Sequence, residues 1–272
     1  MTTAADVHND SNSETRTRRL SGPVARLATA LSVGLSLYAL YWVVGIVQPQ
    51  LYRVSFLLLA LTLTFLLYPA SQRSKNHITA SDWVLIVLAI LALGWPIVDL
   101  DQFVYRAATP SNTDLVLGIL TTALVLEATR RTIGPILPIT AICFLAYGYL
   151  GPTLDLIGLG LFAHRGYDTA RLVGTLYMTL EGIWGVPLDV ASTYIVLFTI
   201  FGSVLAHSGA GQFFINWTLS VFGRSKSGAG PGRTVTLSGF LLGTVSGSGV
   251  ATTVTLGAVA WPLLKRSGFS PE

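Results

Sequence analysis

Long apolar runs, separated by short polar segments, are the feature that most limits what this chain can fold into. The hydrocarbon core of a bilayer is about 30 Å thick and is crossed by roughly 20 residues of α-helix. Only 11% of the residues are charged, whereas a soluble domain has about 25%. The sequence therefore predicts an all-α integral membrane protein in contact with membrane lipid, with about six transmembrane helices plus one re-entrant helical hairpin. The predicted spans are Leu27–Val47, Val54–Tyr68, Trp83–Val98, Leu115–Thr129, Ile136–Leu150 and Val190–Ala206.

The distribution of lysine and arginine between the spans predicts the orientation of the chain. Cytoplasmic loops are enriched in these residues, which concentrate before the first span, after the second and after the fourth. This alternation places the N-terminus in the cytoplasm, and the polar residues 1–23 are predicted to be a disordered cytoplasmic tail. The net charge is +4, but the basic residues form no single patch, so no nucleic-acid partner is predicted. The orienting residues are Arg16, Arg18, Arg19, Arg26, Arg73, Lys75, Arg130 and Arg131.

The last apolar run, Thr234–Leu264, is better explained by a hairpin than by a single crossing helix. The sequence Ser-Gly-Ser-Gly at Ser246–Gly249 interrupts the run and disfavours helix. Each arm is about 15 residues, or roughly 22 Å, which is too short to cross a bilayer. Basic residues also flank the run on both sides, as expected for a segment that enters and leaves on the cytoplasmic side.

The tip of this hairpin is a candidate site for a coupling ion and a substrate. Non-helical backbone at membrane depth is tolerated where it lines an aqueous cavity, and broken helices build Na⁺ and substrate sites in secondary transporters. The alternative is helix packing, because Gly243 and Gly247 form a G-x-x-x-G motif, and the residues alone leave both interpretations open. The candidate residues are Ser246, Gly247, Ser248 and Gly249, through their carbonyls, and Thr252 and Thr253, through their hydroxyls.

Acidic side chains elsewhere give weaker candidates. Glu181 is a second candidate for a functional carboxylate, in the less apolar stretch Gly151–Leu188, which we interpret as an extracytoplasmic loop followed by an interfacial or partly inserted helix. Glu127 could be an intramembrane ionisable site. An ion pair with Arg130 and Arg131 is favoured, because these residues share one helix face. No nucleophile–base pair, phosphate-binding loop or cysteine cluster stands in the sequence, so neither an enzyme nor a bound cofactor or further metal site is predicted.

Five short motifs in the second half of the chain carry a family resemblance. They are His164–Tyr167 (HRGY), Glu181–Leu188 (EGIWGVPL), Ser208–Phe214 (SGAGQFF), Ser246–Ser248 (SGS) and Lys265–Phe269 (KRSGF). These motifs resemble the fused permeases of tripartite ATP-independent periplasmic (TRAP) transporters, in the branch paired with TAXI-type solute-binding proteins. The resemblance implies a four-helix, small-subunit-like region at residues 24–133 and the N-terminal part of a large-subunit-like transport domain at residues 134–272.

The resemblance also implies a mechanism and partners. A protein of this kind is a Na⁺-driven symporter of the bacterial inner membrane that works as an elevator. It receives small organic anions, such as C4-dicarboxylates, from a periplasmic solute-binding protein. The family usually has Asn or Asp where this chain has Thr252, and it continues through a second half with a second hairpin. We therefore expect a fragment of a longer permease or a chain that needs a second polypeptide. The alternative function is a non-transporting membrane scaffold or accessory protein whose glycine motif only packs helices.

Overall fold

The chain forms helices joined by turns, in two compact units, Met1–Ser192 and Thr193–Glu272. The computed structural model describes residues 17–18, 20–71, 77–156, 158, 160–222 and 230–245, and single positions at 253, 256–257, 260–261 and 264–265. No β-strand occurs within these ranges. The predicted all-α class is confirmed, and most of the predicted N-terminal tail lies outside the described residues.

Nine α-helices are described in the first unit and three in the second. Those of the first unit are α1 (Gly22–Val44), α2 (Pro49–Leu67), α3 (Ala80–Val98), α4 (Leu100–Tyr105), α5 (Asn112–Thr132), α6 (Ile136–Leu150), α7 (Thr153–Leu156), α8 (Thr169–Val173) and α9 (Val186–Val190). Those of the second are α10 (Val196–His207), α11 (Ala210–Phe222) and α12 (Gly230–Val245). Short 3₁₀ turns lie at Arg106–Ala108 and Gly160–Phe162, and π-helical turns at Gly174–Met178 and Ala191–Ile195.

Five helical segments in the described part of the chain are long and apolar enough to cross a membrane. They are α1, α2, α3, α5 and the segment Val186–Leu205. Helix α6 is a shorter apolar helix of 15 residues. Each of the six predicted spans therefore coincides with a helix, and the chain is a multi-pass membrane protein. Helix α11 was not predicted as a separate element.

Helices α2, α3 and α5 pack around the core of the first unit, where Phe65, Leu93 and Leu124 are buried. Helix α1 lies against α2, and Trp42 stacks on Tyr52 with ring centroids 4.1 Å apart. The stretch that follows α6 also contributes to this core, because four of its side chains are buried there. They are Val173, Tyr177, Met178 and Trp184.

A buried carboxylate joins the ends of these helices on one side of the bundle. Asp82, in the first turn of α3, forms ion pairs with Arg18 at 2.6 Å and with Arg131 of α5 at 2.7 Å. The three side chains are almost completely buried. Arg131 also binds Glu127 at 2.7 Å, and Arg130 binds the second oxygen of Glu127 at 2.7 Å. The predicted helix-end ion pair of Glu127 is present, and it is part of a five-residue network.

A second buried carboxylate lies at the opposite end of α3 and α5. Asp114, in the first turn of α5, accepts hydrogen bonds from the indole N–H of Trp95 at 2.9 Å and from Arg106 at 3.1 Å. Arg106 also pairs with Asp99 at 2.7 Å. Asp82 and Asp114 each complete a capping box at the start of their helix, with Thr79 and Ser111 respectively. At each end of the α3–α5 pair, one carboxylate therefore accepts a hydrogen bond from the backbone at a helix start and also pairs with an arginine.

We predict that Asp82→Ala strongly destabilises the protein, because it leaves Arg18 and Arg131 buried without their shared carboxylate. Removing one partner of a buried ion pair costs about 3–5 kcal/mol. Thermal unfolding in detergent measures the loss as a fall in melting temperature. Asp101→Ala, at an exposed position of α4, is the matched control and should melt like the unmodified protein. Equal melting temperatures for the two variants would contradict the assigned role of Asp82.

Candidate functional site

The predicted hairpin begins in α12, and the described residues show that the chain reverses after it. A Cβ atom placed on Gly239 would lie 2.9 Å from Cδ2 of Leu256. A continuous helix would separate these residues by about 25 Å, so the segment bearing Leu256 must fold back along α12. Gly239 has no side chain, and this allows Leu256 to pack directly against the helix backbone. The predicted hairpin is thus a reversal of the chain between Val245 and Leu256.

Most of the predicted tip lies outside the described residues. Of the six candidate residues, only Thr253 is described, and it is exposed and helical. Its helical conformation agrees with the predicted second arm. The proposed roles of the tip residues in binding ions and substrate stay predictions. The five candidates outside the described residues are Ser246, Gly247, Ser248, Gly249 and Thr252.

A row of buried hydroxyl groups joins α11 to the first arm of the hairpin. The hydroxyls of Thr218 in α11 and Ser238 in α12 are hydrogen bonded to each other. Thr218 also donates to the carbonyl of Phe214 at 2.9 Å, and Thr234 donates to that of Gly230 at 3.0 Å. Hydroxyl groups that hydrogen bond across or along helices stabilise helix pairs inside membranes. These hydroxyl groups, which we call the hydroxyl seam, hold α12 against α11. Their hydrogen bonds are of the kind that packs helices together.

Glu181, the second candidate carboxylate, is exposed and lies on a turn between Thr179 and Gly185, not on the predicted helix. Its backbone N–H donates to the Thr179 hydroxyl at 3.2 Å. The turn replaces a helix because Trp184 folds inward, and its indole N–H donates to the carbonyl of Tyr177. The Tyr177 phenol is buried, which raises its pKa above the ordinary value, and it donates to the carbonyl of Ala92. A functional role for Glu181 stays a prediction.

The first turns of α2 bind the segment from Met178 to Ser192 with three side chains that the sequence analysis did not single out together. Arg53 forms an ion pair with Asp189 at 2.9 Å and donates to the carbonyl of Trp184 at 2.7 Å. Gln50 donates to the carbonyl of Met178 at 3.2 Å. Tyr52 donates to the carbonyl of Ser192 at 2.6 Å. We call Gln50, Tyr52, Arg53 and Asp189 the α2 clamp.

The α2 clamp has a structural role, because its side chains bind each other and backbone carbonyls. Among the described residues, no group of three or more His, Cys, Asp and Glu side chains could hold a metal ion. The sequence feature that points to the clamp is Arg53, a single charged residue next to a predicted span. Its partner, Asp189, precedes another span 136 residues later. The ion pair of Asp189 with Arg53 links these two distant segments.

We predict that Arg53→Ala loosens the segment from Met178 to Ser192. Hydrogen bonds to charged groups contribute about 1.5–3 kcal/mol, and Arg53 makes such bonds to both Asp189 and Trp184. Hydrogen exchange followed by mass spectrometry should show faster exchange in this segment. The double variant Arg53→Ala with Asp189→Ala should exchange little faster than Arg53→Ala alone, since both changes remove the same pair. Exchange as slow as that of the exposed control Arg165→Ala would refute the clamp.

We predict that Gly239→Val separates the arms of the hairpin, because the new side chain would occupy the position of Leu256. Gly243→Val is the matched control, since no atom among the described residues lies within 4 Å of a Cβ placed there. Limited proteolysis in detergent should cleave the Gly239→Val protein near the arms while the Gly243→Val protein stays intact. Equal protection of the two variants would contradict the packing of Leu256 on Gly239.

Comparison with known proteins assigns the second half of the chain to a family. The family described as Tripartite ATP-independent periplasmic transporter, DctM component, matches residues 120–272. The match includes the end of α5, the clamped segment, the hydroxyl seam and both arms of the hairpin. No curated protein and no solved structure matches the chain. Because the match covers more than half of the 272 residues, the chain belongs to the DctM family of tripartite ATP-independent periplasmic transporters.

Proposed function

We propose that this chain is the membrane permease component of a Na⁺-driven secondary transporter that takes small organic anions from a periplasmic solute-binding protein. The observation that carries the proposal is the family match over residues 120–272. A TAXI-type binding protein and carboxylate substrates such as C4-dicarboxylates are the partners that the sequence motifs favour. The protein would lie in the bacterial inner membrane with its N-terminus in the cytoplasm and would act by transport, not catalysis.

The reversal of the chain after α12 supports a binding site at the hairpin. A helix that ends leaves its last carbonyl groups without helical partners, and in secondary transporters such carbonyls coordinate Na⁺. The Ser-Gly-Ser-Gly sequence at Ser246–Gly249 lies between the two arms. Thr252 and Thr253 would add hydroxyl oxygens, which are suitable ligands for a hard cation.

An elevator mechanism requires one part of the protein to hold its position in the membrane while another part carries the site. The first unit has the features of a fixed part, because polar contacts join α3 and α5 at both ends. These contacts are the buried ion pair of Asp82 with Arg131 and the hydrogen bond from Trp95 to Asp114. The clamp also fastens the segment up to Ser192 to α2. The hairpin lies in the second unit, Thr193–Glu272, which is the part that would carry ions and substrate.

A second function, that of a non-transporting scaffold or accessory protein, is favoured by one observation. Leu256 packs on Gly239, so at least one glycine of the hairpin serves close packing. Under this alternative the glycines matter for assembly and the serines of the tip do not. Ser246→Ala and Ser248→Ala would then leave Na⁺-driven uptake unchanged, while Gly247→Ala would impair assembly.

We predict that a cysteine at Ser248 reacts with membrane-impermeant thiol reagents and that Na⁺ slows the reaction. The background is Cys143→Ser, because Cys143 is an exposed free cysteine. The reaction should be slow at Phe240→Cys, whose native side chain is an exposed apolar group of the first arm and would face lipid. Thiol labelling in proteoliposomes, with and without Na⁺, measures both rates.

The outcome that would overturn the transporter proposal has two parts. Ser248→Cys would stay unreactive under all ionic conditions, and Ser246→Ala together with Ser248→Ala would leave Na⁺-driven uptake unchanged. Uptake is measured with the periplasmic binding protein present, using a radiolabelled C4-dicarboxylate in vesicles that carry an inward Na⁺ gradient. Labelling that is fast but independent of Na⁺ would contradict coordination of the coupling ion at the tip.

A further inference from the structure

The loop that follows α6 folds back onto the last turn of that helix. The Tyr147 hydroxyl donates to the carbonyl of Phe162 at 2.9 Å, and the backbone N–H of Tyr167 donates to the carbonyl of Gly148 at 3.0 Å. Because Tyr147 and Gly148 lie in the last turn of α6, the loop runs beside the helix end. It does not project away from it.

His164 fixes this return of the chain. Its Nδ1 accepts the backbone N–H of Gly166 at 3.0 Å, so its Nε2 carries the proton and donates to the carbonyl of Tyr147 at 3.0 Å. The ring lies where a Cβ of residue 151 would be, only 2.3 Å from that position, which explains Gly151. Gly166 adopts a φ of 73°, a conformation that glycine reaches at low cost. Residues 164–167 are therefore held against the helix end by hydrogen bonds.

The side chains on the turn Gly160–Phe162, which we call the crest of the loop, are large, apolar and exposed. Leu161 is 92% exposed and Phe162 is 58% exposed, both on the 3₁₀ turn Gly160–Phe162. Tyr149 and Leu150, at the end of α6, are also exposed. Leaving such groups in water costs about 25 cal/mol per Å² of apolar surface. Large exposed apolar side chains on two neighbouring segments indicate a partner.

The length of α6 indicates how deep in the bilayer this apolar surface lies. Its 15 residues span roughly 22 Å, which is shorter than the roughly 30 Å hydrocarbon core. The bilayer thins locally around a span that is too short, and this brings the interface to the ends of the helix. Since the loop runs beside the last turn of α6, Leu161 and Phe162 lie at that same depth and extend the apolar surface of the short helix.

The surface also has the chemistry of a phospholipid site. A groove of about 370 Å³ on α6 is lined by Ile139, Thr140, Cys143, Phe144 and Tyr147, and it ends at the residue that binds the Phe162 carbonyl. The lining of the groove is mostly apolar, which suits an acyl chain. Arg165 and Arg171 are exposed beyond the crest, and Arg171 lies over the ring of Tyr167 at 5.1 Å. Basic and aromatic side chains together are typical of the depth of lipid headgroups.

We infer that residues 160–167 form a phospholipid anchor. Leu161 and Phe162 insert at the boundary between headgroups and acyl chains, an acyl chain lies in the groove on α6, and Arg165 faces the lipid phosphates. The anchor holds the end of a span that is too short for the bilayer at a fixed depth. This inference does not depend on transport by the hairpin.

Depth-dependent fluorescence quenching tests the anchor. A bimane fluorophore is attached to Leu161→Cys, or separately to Phe162→Cys, in the Cys143→Ser background, and the protein is reconstituted in phosphatidylcholine–phosphatidylglycerol vesicles. Lipids with a nitroxide near the headgroup should quench both fluorophores several-fold more than aqueous iodide does. Asp101→Cys, at an exposed polar position, is the control and should show the reverse preference.

Two results would overturn the inference. Iodide would quench the labels at Leu161→Cys and Phe162→Cys as strongly as the label at Asp101→Cys, which would place the loop in water. Alternatively, both labels would become shielded only when a periplasmic binding protein is added, which would assign the surface to protein docking. The two labelled positions are independent, so one of them reports even if the other variant fails to fold.

Discussion

Pairing between buried aspartates and arginines is the interaction on which the first unit depends. In lipid, both the N–H groups of a helix start and any charged side chain must find partners within the protein. Asp82 and Asp114 meet both requirements, because each caps its own helix and binds an arginine from another segment. Helices α3 and α5 run antiparallel, so the two carboxylates lie at opposite ends of the pair and fix its register at both ends.

The clamp extends this fixed core into the part of the chain that matches the family. The three side chains that α2 contributes to the clamp lie before the matched residues 120–272. They bind residues that lie within the match, namely Met178, Trp184, Asp189 and Ser192. The N-terminal helices and the start of the family segment therefore share one core. Residues 24–133 could not be separated from the rest without exposing the apolar surface that the clamped segment now covers. That division of the chain into two regions stays a prediction about its family origin.

The sequence was sufficient to predict the six apolar spans and the reversal of the chain, because both are set by local composition. Six apolar runs gave six helices, and the Ser-Gly-Ser-Gly interruption predicted the hairpin whose arms meet at Gly239 and Leu256. The ion pairs of Asp82 and of Arg53 could not be predicted, because their partners are distant in sequence and only tertiary packing brings them together. Helix α11 was missed because Gln212 and Asn216 break its apolar pattern.

The two units satisfy their buried polar groups by different chemistry, and this difference bears on which of them can move. The first unit buries ionised pairs, such as Asp82 with Arg131, and breaking one costs about 3–5 kcal/mol. The buried polar side chains described for the second unit are the hydroxyls of Thr218, Thr234 and Ser238. A hydrogen bond between side chains in a membrane protein contributes about 0.6 kcal/mol on average, and a hydroxyl can always return to a carbonyl of its own helix. Rearrangement among the described residues of the second unit would therefore cost less than rearrangement in the first, which would break ion pairs that no lipid can replace.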